Sequence, residues 1–152
     1  MCKVKVIDTE SFLSVLCDLA QEGRTVSTVV SGGSMLPFLS GNRDYVYLEA
    51  PKRKLRKGDI VLFRRANGDF VLHRIKKIKN NDFYLLGDRQ YGVEGPVKRE
   101  QISALAVGAR RKGKEITEKS PVWIFYSKVW INLVFLRPFA FRVVSFLHRK
   151  RK

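Results

Sequence analysis

The sequence predicts a mainly β protein: a coiled, largely antiparallel, barrel-like sheet with one helix before it and an apolar helical tail after it. Apolar residues recur at helical spacing between Thr9 and Gly23. Several short β-branched or alternating segments follow, and turn signals of Gly and Asn separate them at close spacing. From Pro121 onward the chain is strongly apolar and aromatic, and Arg137-Pro138 divides it into two helical segments. These three observations place the sheet in the middle of the chain.

The individual elements follow from local signals. The first helix is expected to be capped by Thr9 and to stop at Gly23. The expected strands are residues 25–31, 44–49, 59–64, 69–79, 83–86 and 102–109. Asn67-Gly68, a favoured two-residue hairpin turn, joins the third strand to the fourth. The chain therefore divides into an N-terminal helix (1–24), a β-domain (25–110), a basic linker (111–120) and a tail (121–152).

Positive charge is concentrated at the C-terminal end. The 152 residues include 30 Lys and Arg against 14 Asp and Glu, a formal net charge of +16. Residues 110–152 hold 12 of the basic side chains but only 2 of the acidic ones. This excess lies beside contiguous apolar residues and both tryptophans, whereas surfaces that bind nucleic acid interleave aromatic rings with polar basic residues. It therefore favours an anionic membrane as partner, contacted by the segment from Trp123 to Lys152, and no nucleic acid.

The tail can meet a membrane in more than one way. Its longest uncharged stretch, residues 129–136, is too short for a span, which needs roughly 20 apolar residues. The expected arrangement is a pair of interfacial helices ending in the basic cluster 148–152. Two alternatives are a tail packed on its own domain and a kinked span. The basic cluster favours a cytoplasmic position for that end, and we expect localisation at the cell membrane, with the side that the domain occupies left open.

The cysteines and the start of the chain exclude other classes of protein. Cys2 and Cys17 are too few for a disulfide framework or a metal cluster, and neither a metal nor another cofactor is expected. Residues 1–10 have no long apolar run and no small-residue cleavage site, so no signal peptide is expected. With 45% apolar residues, the chain can bury a core and is not of disordered composition.

Two residues are candidates for catalysis. Ser34 follows Gly32-Gly33 and precedes Met-Leu-Pro, and glycines before a nucleophile let the backbone approach a substrate carbonyl closely. A serine hydroxyl is a weak nucleophile and needs an adjacent base. His73, in the expected strand 69–79, is the only histidine outside the C-terminal cluster. From these residues alone, an ordinary loop serine and a half-buried strand histidine stay open as alternatives.

Four segments resemble the boxes of the signal peptidase I family, in the order that the family has them. They are Gly33-Ser34-Met35-Leu36-Pro37, Lys57-Gly58-Asp59-Ile60-Val61-Leu62-Phe63, Val71-Leu72-His73-Arg74-Ile75 and Leu86-Gly87-Asp88. The resemblance covers about residues 28–108. It implies the β fold of that family, with Ser34 as nucleophile and His73 as general base. The chain is therefore similar to the histidine type of the endoplasmic reticulum rather than to the lysine type of most bacterial enzymes.

The resemblance also implies an acid that orients the imidazole. By its offset from the Gly-Asp box, Glu94 matches that orienting acid, and Asp88 within the box matches a supporting one. Either carboxylate could hold the imidazole tautomer, and the alternative for each is a solvated turn residue. The family usually has asparagine after Gly-Asp, where this chain has Arg89-Gln90.

The oxyanion hole departs from the family pattern. Many relatives have a serine two residues before the nucleophile, and its hydroxyl helps to bind the developing oxyanion. Gly32 occupies that position here. Backbone N–H groups of Gly32, Gly33 and chiefly Ser34 would then have to bind the oxyanion.

The expected function is that of a membrane-associated serine endopeptidase that cleaves signal or leader peptides from precursor proteins. The resemblance implies small residues before the cut and a substrate bound as an added β-strand. One alternative is a catalytically silent relative that holds a peptide or a membrane. Another is a self-cleaving relative of the SOS-type repressors, which share the peptidase fold. Against it, only 33 residues precede Ser34, too few for a helix-turn-helix module, and the base in that branch is lysine.

Overall fold

The computed structural model describes residues 8–149, in which one antiparallel sheet is flanked by helices. The helices are α1 (Thr9–Gln21), α2 (Pro121–Lys128) and α3 (Arg137–Arg149), with short 3-10 turns at Arg99–Gln101, Trp130–Asn132 and Val134–Leu136. The strands are β1 (Val26–Val29), β2 (Tyr45–Glu49), β3 (Ile60–Arg64), β4 (Phe70–Lys79), β5 (Asp82–Leu86), β6 (Glu94–Val97), β7 (Ile102–Arg111) and β8 (Lys114–Thr117). The expectations for Cys2, for the start of the chain and for the basic residues 150–152 lie outside the described residues.

The strands form one sheet in the order β1-β2-β7-β3-β4-β5-β6, with β8 paired to β7 as well. Each pairing is antiparallel. Strands β3, β4 and β5 follow one another as hairpins, whereas β7 returns to lie between β2 and β3. The predicted class, a mainly β antiparallel protein with an N-terminal helix, is therefore confirmed. The barrel-like closure stays a prediction.

Helix α1 is capped one residue earlier than expected. The Asp8 carboxylate accepts a hydrogen bond from the Ser11 N–H at 2.9 Å, so Asp8 is the cap. At the other end Gly23 has a φ of +91°, and its N–H donates to the Ala20 carbonyl at 3.0 Å. Cys17 and Ala20 are buried where the helix packs on β1, β2 and β7. The helix thereby covers one face of the sheet.

Apolar side chains fill both faces of the sheet. In β3, Ile60 and Leu62 belong to one buried cluster and Val61 and Phe63 to a second, because successive side chains of a strand point to opposite faces. The first cluster also contains Val30, Met35, Phe38, Leu39 and Trp123. His73 on β4 pairs with Val61 and so shares the face of the second cluster.

The predicted basic linker 111–120 needs correction. Strand β7 continues to Arg111, and the chain turns at Lys112-Gly113, whose φ values are 50° and 76°. Strand β8 then pairs back onto β7, with Arg111 opposite Lys114. Two residues with positive φ form the tight turn that suits a hairpin. Of the charged residues of this segment, Lys114 and Glu115 therefore lie on a short edge strand, where charged side chains are common.

The tail also departs from the expectation that all of it faces a membrane. Trp123 is buried against Phe38, with the ring centroids 5.4 Å apart, and Trp130 is buried as well. Arg137 at the start of α3 is fully buried. Among the other rings of the tail, Phe125, Phe135, Phe139 and Phe146 are exposed, and so is every side chain from 142 to 147. The first half of the tail is thus part of the domain, and only α3 extends beyond it.

Among residues 8–149, no single helix is both long and apolar enough to cross a membrane. Two helical stretches, Pro121–Asn132 and Val134–Leu147, reach the required length and hydropathy only when taken together, and they are bent by 86°. Because the first stretch contains the buried Trp123 and Trp130, part of this apolar sequence is used inside the domain.

Candidate active site

Ser34 lies in the loop between β1 and β2, and both ends of this loop are fixed. The Val30 N–H donates to the Asp44 carbonyl and the Asn42 N–H to the Val30 carbonyl, each at 2.8 Å. Gly32 has a φ of +70°, a backbone conformation that glycine adopts without strain. Within the loop, Met35, Phe38 and Leu39 are buried. Ser34 is therefore half-buried on a turn that is anchored by the core.

The buried Asp44 carboxylate fixes the far end of this loop. It accepts hydrogen bonds from the Ser40 N–H at 2.8 Å and the Lys112 N–H at 3.0 Å. The Arg43 guanidinium binds both of its oxygens, at 2.8 and 2.7 Å. Burial alone would raise the pKa of Asp44, but these donors outweigh it and lower the pKa to about 2. Asp44 therefore stays ionised and holds the loop at any ordinary pH.

The Ser34 loop meets the sheet at Gly87. The Arg89 N–H donates to the Ser34 carbonyl at 2.9 Å, and a Cβ at position 87 would lie 2.6 Å from that same oxygen. Gly87 directly follows β5, whose last residue, Leu86, pairs with Arg74, the residue after His73 on β4. The Ser34 carbonyl therefore occupies the space of the absent side chain at 87, next to the strand that pairs with the His73 strand. Within residues 8–149, no hydrogen bond yet joins the Ser34 hydroxyl to the imidazole; such contacts often tighten only with substrate bound.

Gly87→Ala tests this meeting point. The added methyl group has to displace the Ser34 carbonyl, and a shift of about 1 Å in a reacting group can lower the rate by about 10²-fold. We expect kcat/KM to fall by about that factor while the protein stays folded. Gly92→Ala is the matched control, because a Cβ there meets nothing within 4 Å. Equal activity of the two variants would show that Gly87 does not position Ser34.

His73 is buried in the middle of β4, with 1% of its surface exposed. The ring of Phe63 lies beside it, with a centroid distance of 5.9 Å. Its Nδ1 atom has no hydrogen-bond partner among the described residues. Burial lowers the pKa of His73 to about 4, and the positive charge of Arg65 acts in the same direction, against Glu94, which raises it. The imidazole is therefore neutral near pH 7, the form in which it can accept a proton.

Glu94 lies close to this imidazole. It begins β6, and its Oε2 atom is 3.7 Å from Nδ1 of His73. The same carboxylate binds the Arg65 guanidinium through both oxygens, at 2.6 and 2.8 Å. These hydrogen bonds lower the pKa of Glu94, so it carries a negative charge beside the base. Glu94 is thus placed to orient His73, but at 3.7 Å it does not yet accept a hydrogen bond from it.

Asp88, the other candidate acid, is bound to a different partner. Its carboxylate is fully buried and forms a bidentate pair with the buried Arg74, at 3.0 and 2.8 Å. Arg74 also donates to the Gly58 carbonyl and the Ser127 hydroxyl, both at 2.9 Å. Its guanidinium lies over the Phe38 ring, 5.0 Å from the centroid. The Asp88–Arg74 pair therefore connects the sheet, the nucleophile loop and α2.

Two residues of the tail hold the loop that carries Asp88. Trp130 donates from its indole nitrogen to the Asp88 carbonyl at 2.8 Å. The buried Arg137 donates to the Gly87 carbonyl at 2.9 Å and also to the Gln90 carbonyl. Sequence reasoning missed both residues, although an arginine that interrupts an apolar segment is a signal for a buried polar contact. The tail therefore supports the same loop that positions Ser34.

Backbone donors for an oxyanion are present at the nucleophile. Among the described residues, no partner accepts from the N–H groups of Gly33 or Ser34. A Cβ at Gly32 would meet nothing within 4 Å, and one at Gly33 would lie 3.8 Å from the Arg89 guanidinium. No three His, Cys, Asp or Glu side chains in the described part of the chain could together hold a metal ion. The groups present suit acyl transfer by a serine and a base.

Comparisons with known proteins place the chain in a family. The family model described as Peptidase S24-like matches residues 3–103, about two thirds of the chain. No curated protein and no solved structure matches. This match supports the superfamily that includes the SOS-type repressors and the signal peptidases, and it does not single out signal peptidase I. The chain belongs to the Peptidase S24-like family and is a serine peptidase-type member of it.

Proposed function

We propose that this protein is a membrane-associated serine endopeptidase that removes signal or leader segments from precursor proteins. Ser34 is the nucleophile, His73 the general base and Glu94 the acid that orients the base. One observation carries the proposal: the Ser34 loop packs on Gly87 so closely that a side chain there would collide with the Ser34 carbonyl, and Gly87 directly follows β5, the strand that pairs with the His73 strand.

The proposed reaction is acyl transfer in two steps. Ser34 Oγ attacks the scissile carbonyl while His73 takes the hydroxyl proton, and the N–H groups of Gly33 and Ser34 bind the oxyanion. The C–N bond then breaks, and His73 returns the proton to the leaving amine. Water next attacks the acyl-enzyme, His73 takes its proton, and Ser34 regains a hydrogen as the acid product leaves. Glu94, facing Nδ1, leaves Nε2 for these proton transfers and stabilises the imidazolium.

The sheet edge at β1 supports binding of the substrate as an added strand. β1 ends the strand order of the sheet, and the chain runs from it directly into the Ser34 loop. An extended segment that hydrogen-bonds to this edge would pass the nucleophile in the extended conformation that proteolysis requires. Glycines at 32 and 33 leave the approach to Ser34 open.

A panel of leader-bearing precursors tests the proposed activity. The full chain is incubated with each precursor in the presence of phosphatidylglycerol-containing vesicles, and the products are mapped by mass spectrometry. A single cut at the end of a leader segment, after small residues, is the expected result. Absence of any cut in the whole panel would overturn the proposed substrate class.

The alternative is a catalytically silent relative that binds a peptide or a membrane. Two observations favour it: no hydrogen bond joins Ser34 and His73 within residues 8–149, and Glu94 is bound to Arg65. A silent relative would retain a precursor segment without cutting it. Binding of the panel without cleavage would therefore select this alternative.

Attachment to an anionic membrane is proposed through α3. Phe139, Val143 and Leu147 lie on one face of this helix, at spacings of four residues, and all three are exposed. Basic residues at 142 and 149 flank that face and suit anionic headgroups. Trp123 and Trp130 do not take part, because they are buried in the domain.

Flotation with phosphatidylglycerol-containing vesicles checks this attachment. Transfer of a phenylalanine ring from water into the membrane contributes about 1.5–3 kcal/mol to binding, and a serine loses this contribution. Phe139→Ser is therefore expected to weaken vesicle binding about tenfold or more. Phe12→Ser is the matched control, since Phe12 is an exposed phenylalanine on another helix. If Phe139→Ser floats as well as Phe12→Ser, α3 is not the membrane contact.

A further inference from the structure

Arg65 lies where it can control the acid of the proposed site. It follows β3 in the turn to β4, and its N–H donates to the Asp69 carbonyl at 2.9 Å. From that turn its guanidinium reaches β6 and binds both carboxylate oxygens of Glu94. A bidentate pair of this kind fixes the plane of the carboxylate as well as its position. Arg65 therefore determines where Glu94 stands relative to His73.

The imidazole lacks a contact that Glu94 is near enough to supply. Nδ1 of His73 is buried without a hydrogen-bond partner, and Oε2 of Glu94 lies 3.7 Å from it. A movement of less than about 1 Å would bring the two atoms to hydrogen-bond distance. The bonds from Arg65, at 2.6 and 2.8 Å, oppose that movement. The carboxylate is thus shared between two cations once His73 becomes protonated.

We propose that Arg65 is a positioning residue that holds Glu94 back from His73 in the substrate-free protein and releases it to the imidazolium as the proton is taken up. The proposal rests on the proposed function for its catalytic meaning. In the resting site Arg65 neutralises Glu94, and His73 stays uncharged. When His73 gains the proton from Ser34, its positive charge competes with Arg65 for the carboxylate, and the hydrogen bond to Nδ1 can form.

The other charged groups near the pair do not take the place of Arg65. Asp69, in the same turn, acts on the Arg65 guanidinium. Arg74 follows His73 on β4, so its side chain points to the opposite face, where Asp88 neutralises it. From β3 the neighbours of the imidazole are the uncharged Val61 and Phe63. Arg65 and Glu94 are therefore the charges that set the behaviour of His73.

Titration of His73 by NMR tests the proposal without any activity. The sequence has two histidines, so His148→Gln gives a protein in which one imidazole remains. In that background Arg65→Gln is expected to raise the pKa of His73 by about one unit or more, because Glu94 is freed to accept from Nδ1. Glu94→Gln is expected to shift the pKa further down. Arg65→Lys keeps the charge but loses the bidentate fork, and an intermediate value is expected.

Two comparisons make the result decisive. Arg64→Gln is the matched control, since Arg64 is the neighbouring arginine and binds Glu10 instead. The double variant Arg65→Gln/Glu94→Gln shows whether Arg65 acts on His73 through Glu94. Without the Glu94 carboxylate, the upward shift of the His73 pKa that Arg65→Gln causes should largely disappear. A shift of the same size in that double variant would mean that Arg65 acts only as a distant charge and would overturn the proposal. So would an equal shift in Arg64→Gln.

Cleavage kinetics then connect the titration to the proposed function. The base must be unprotonated, so kcat/KM of the wild type should fall as the pH drops through about 4, the pKa of His73. In Arg65→Gln this fall should begin at a higher pH, displaced by the same amount as the NMR titration. If no precursor is cleaved, the proposed function fails while the titration still decides the role of Arg65. If cleavage occurs without any displacement, the role of Arg65 fails alone.

Discussion

Ser34→Ala is expected to lower kcat/KM on a cleavable precursor by about 10⁴–10⁶-fold, because no other group can form the acyl-enzyme. His73→Gln is expected to lose a similar factor, since the serine hydroxyl needs a base to become nucleophilic. The double variant should be no slower than either single one. A nucleophile and its base act as a unit, so the second substitution removes nothing that the first has left.

The matched control for this experiment is Ser31→Ala. Ser31 lies in the same loop, three residues earlier, and its side chain is exposed. We expect Ser31→Ala to keep the wild-type rate and all four variants to keep the fold, because none of these side chains forms a hydrogen bond within the described residues 8–149. Cleavage that survives in both Ser34→Ala and His73→Gln would exclude the serine mechanism. A double variant slower than either single one would mean that the two residues act separately.

The order and type of most elements could be predicted from the sequence. Helical spacing after Thr9 gave α1, and the hairpin turn at Asn67-Gly68 gave β3 and β4. The two edge strands that were missed, Glu94–Val97 and Lys114–Thr117, are four residues long and contain charged or turn-forming residues. Short strands at an edge are formed by pairing with a neighbour rather than by their own hydrophobic pattern. These two strands are therefore formed by tertiary pairing, which local propensity does not predict.

The roles of the two acids could not be derived from spacing alone. A carboxylate binds the nearest cation, and that depends on contacts across the fold. Asp88 meets Arg74, the residue after His73, which points to the other face of β4. Glu94 meets Arg65, a residue 29 positions away in sequence. Offsets along the chain contain no information on which face each carboxylate reaches.

For the tail too, the sequence alone does not determine which surface the apolar side chains contact. A basic, aromatic segment has the same composition whether it lies on a membrane or packs on its own domain. The deciding fact is whether complementary partners exist, and here Trp130 finds the Asp88 carbonyl while Arg137 finds that of Gly87. Both acceptors belong to the β5–β6 loop, which is distant from the tail in sequence. The membrane hypothesis is thereby confined to the exposed face of α3 that Phe139, Val143 and Leu147 form.

Asp88→Asn and Glu94→Gln should separate stability from catalysis. Asp88→Asn leaves the fully buried Arg74 guanidinium without its counter-charge, and breaking a buried pair in this way costs about 3–5 kcal/mol. The midpoint of urea unfolding should fall accordingly. Glu94 is partly exposed, and a pair at the surface contributes about 0–1 kcal/mol, so Glu94→Gln should unfold nearly as the wild type does.

The two variants should have the opposite order in activity: Glu94→Gln should lose more activity than Asp88→Asn. Glu94→Gln removes the charge that stabilises the imidazolium, and kcat/KM should fall by about 10²–10⁴-fold at a temperature where the protein is fully folded. Asp82→Asn is the matched control for both measurements, because Asp82 is another carboxylate, at the start of β5, and its partner is the exposed Lys98. We expect it to change neither value appreciably. The opposite outcome is that Asp88→Asn loses activity with an unchanged unfolding midpoint while Glu94→Gln stays active. The orienting role would then belong to Asp88, and the 3.7 Å approach of Glu94 to His73 would have no catalytic meaning.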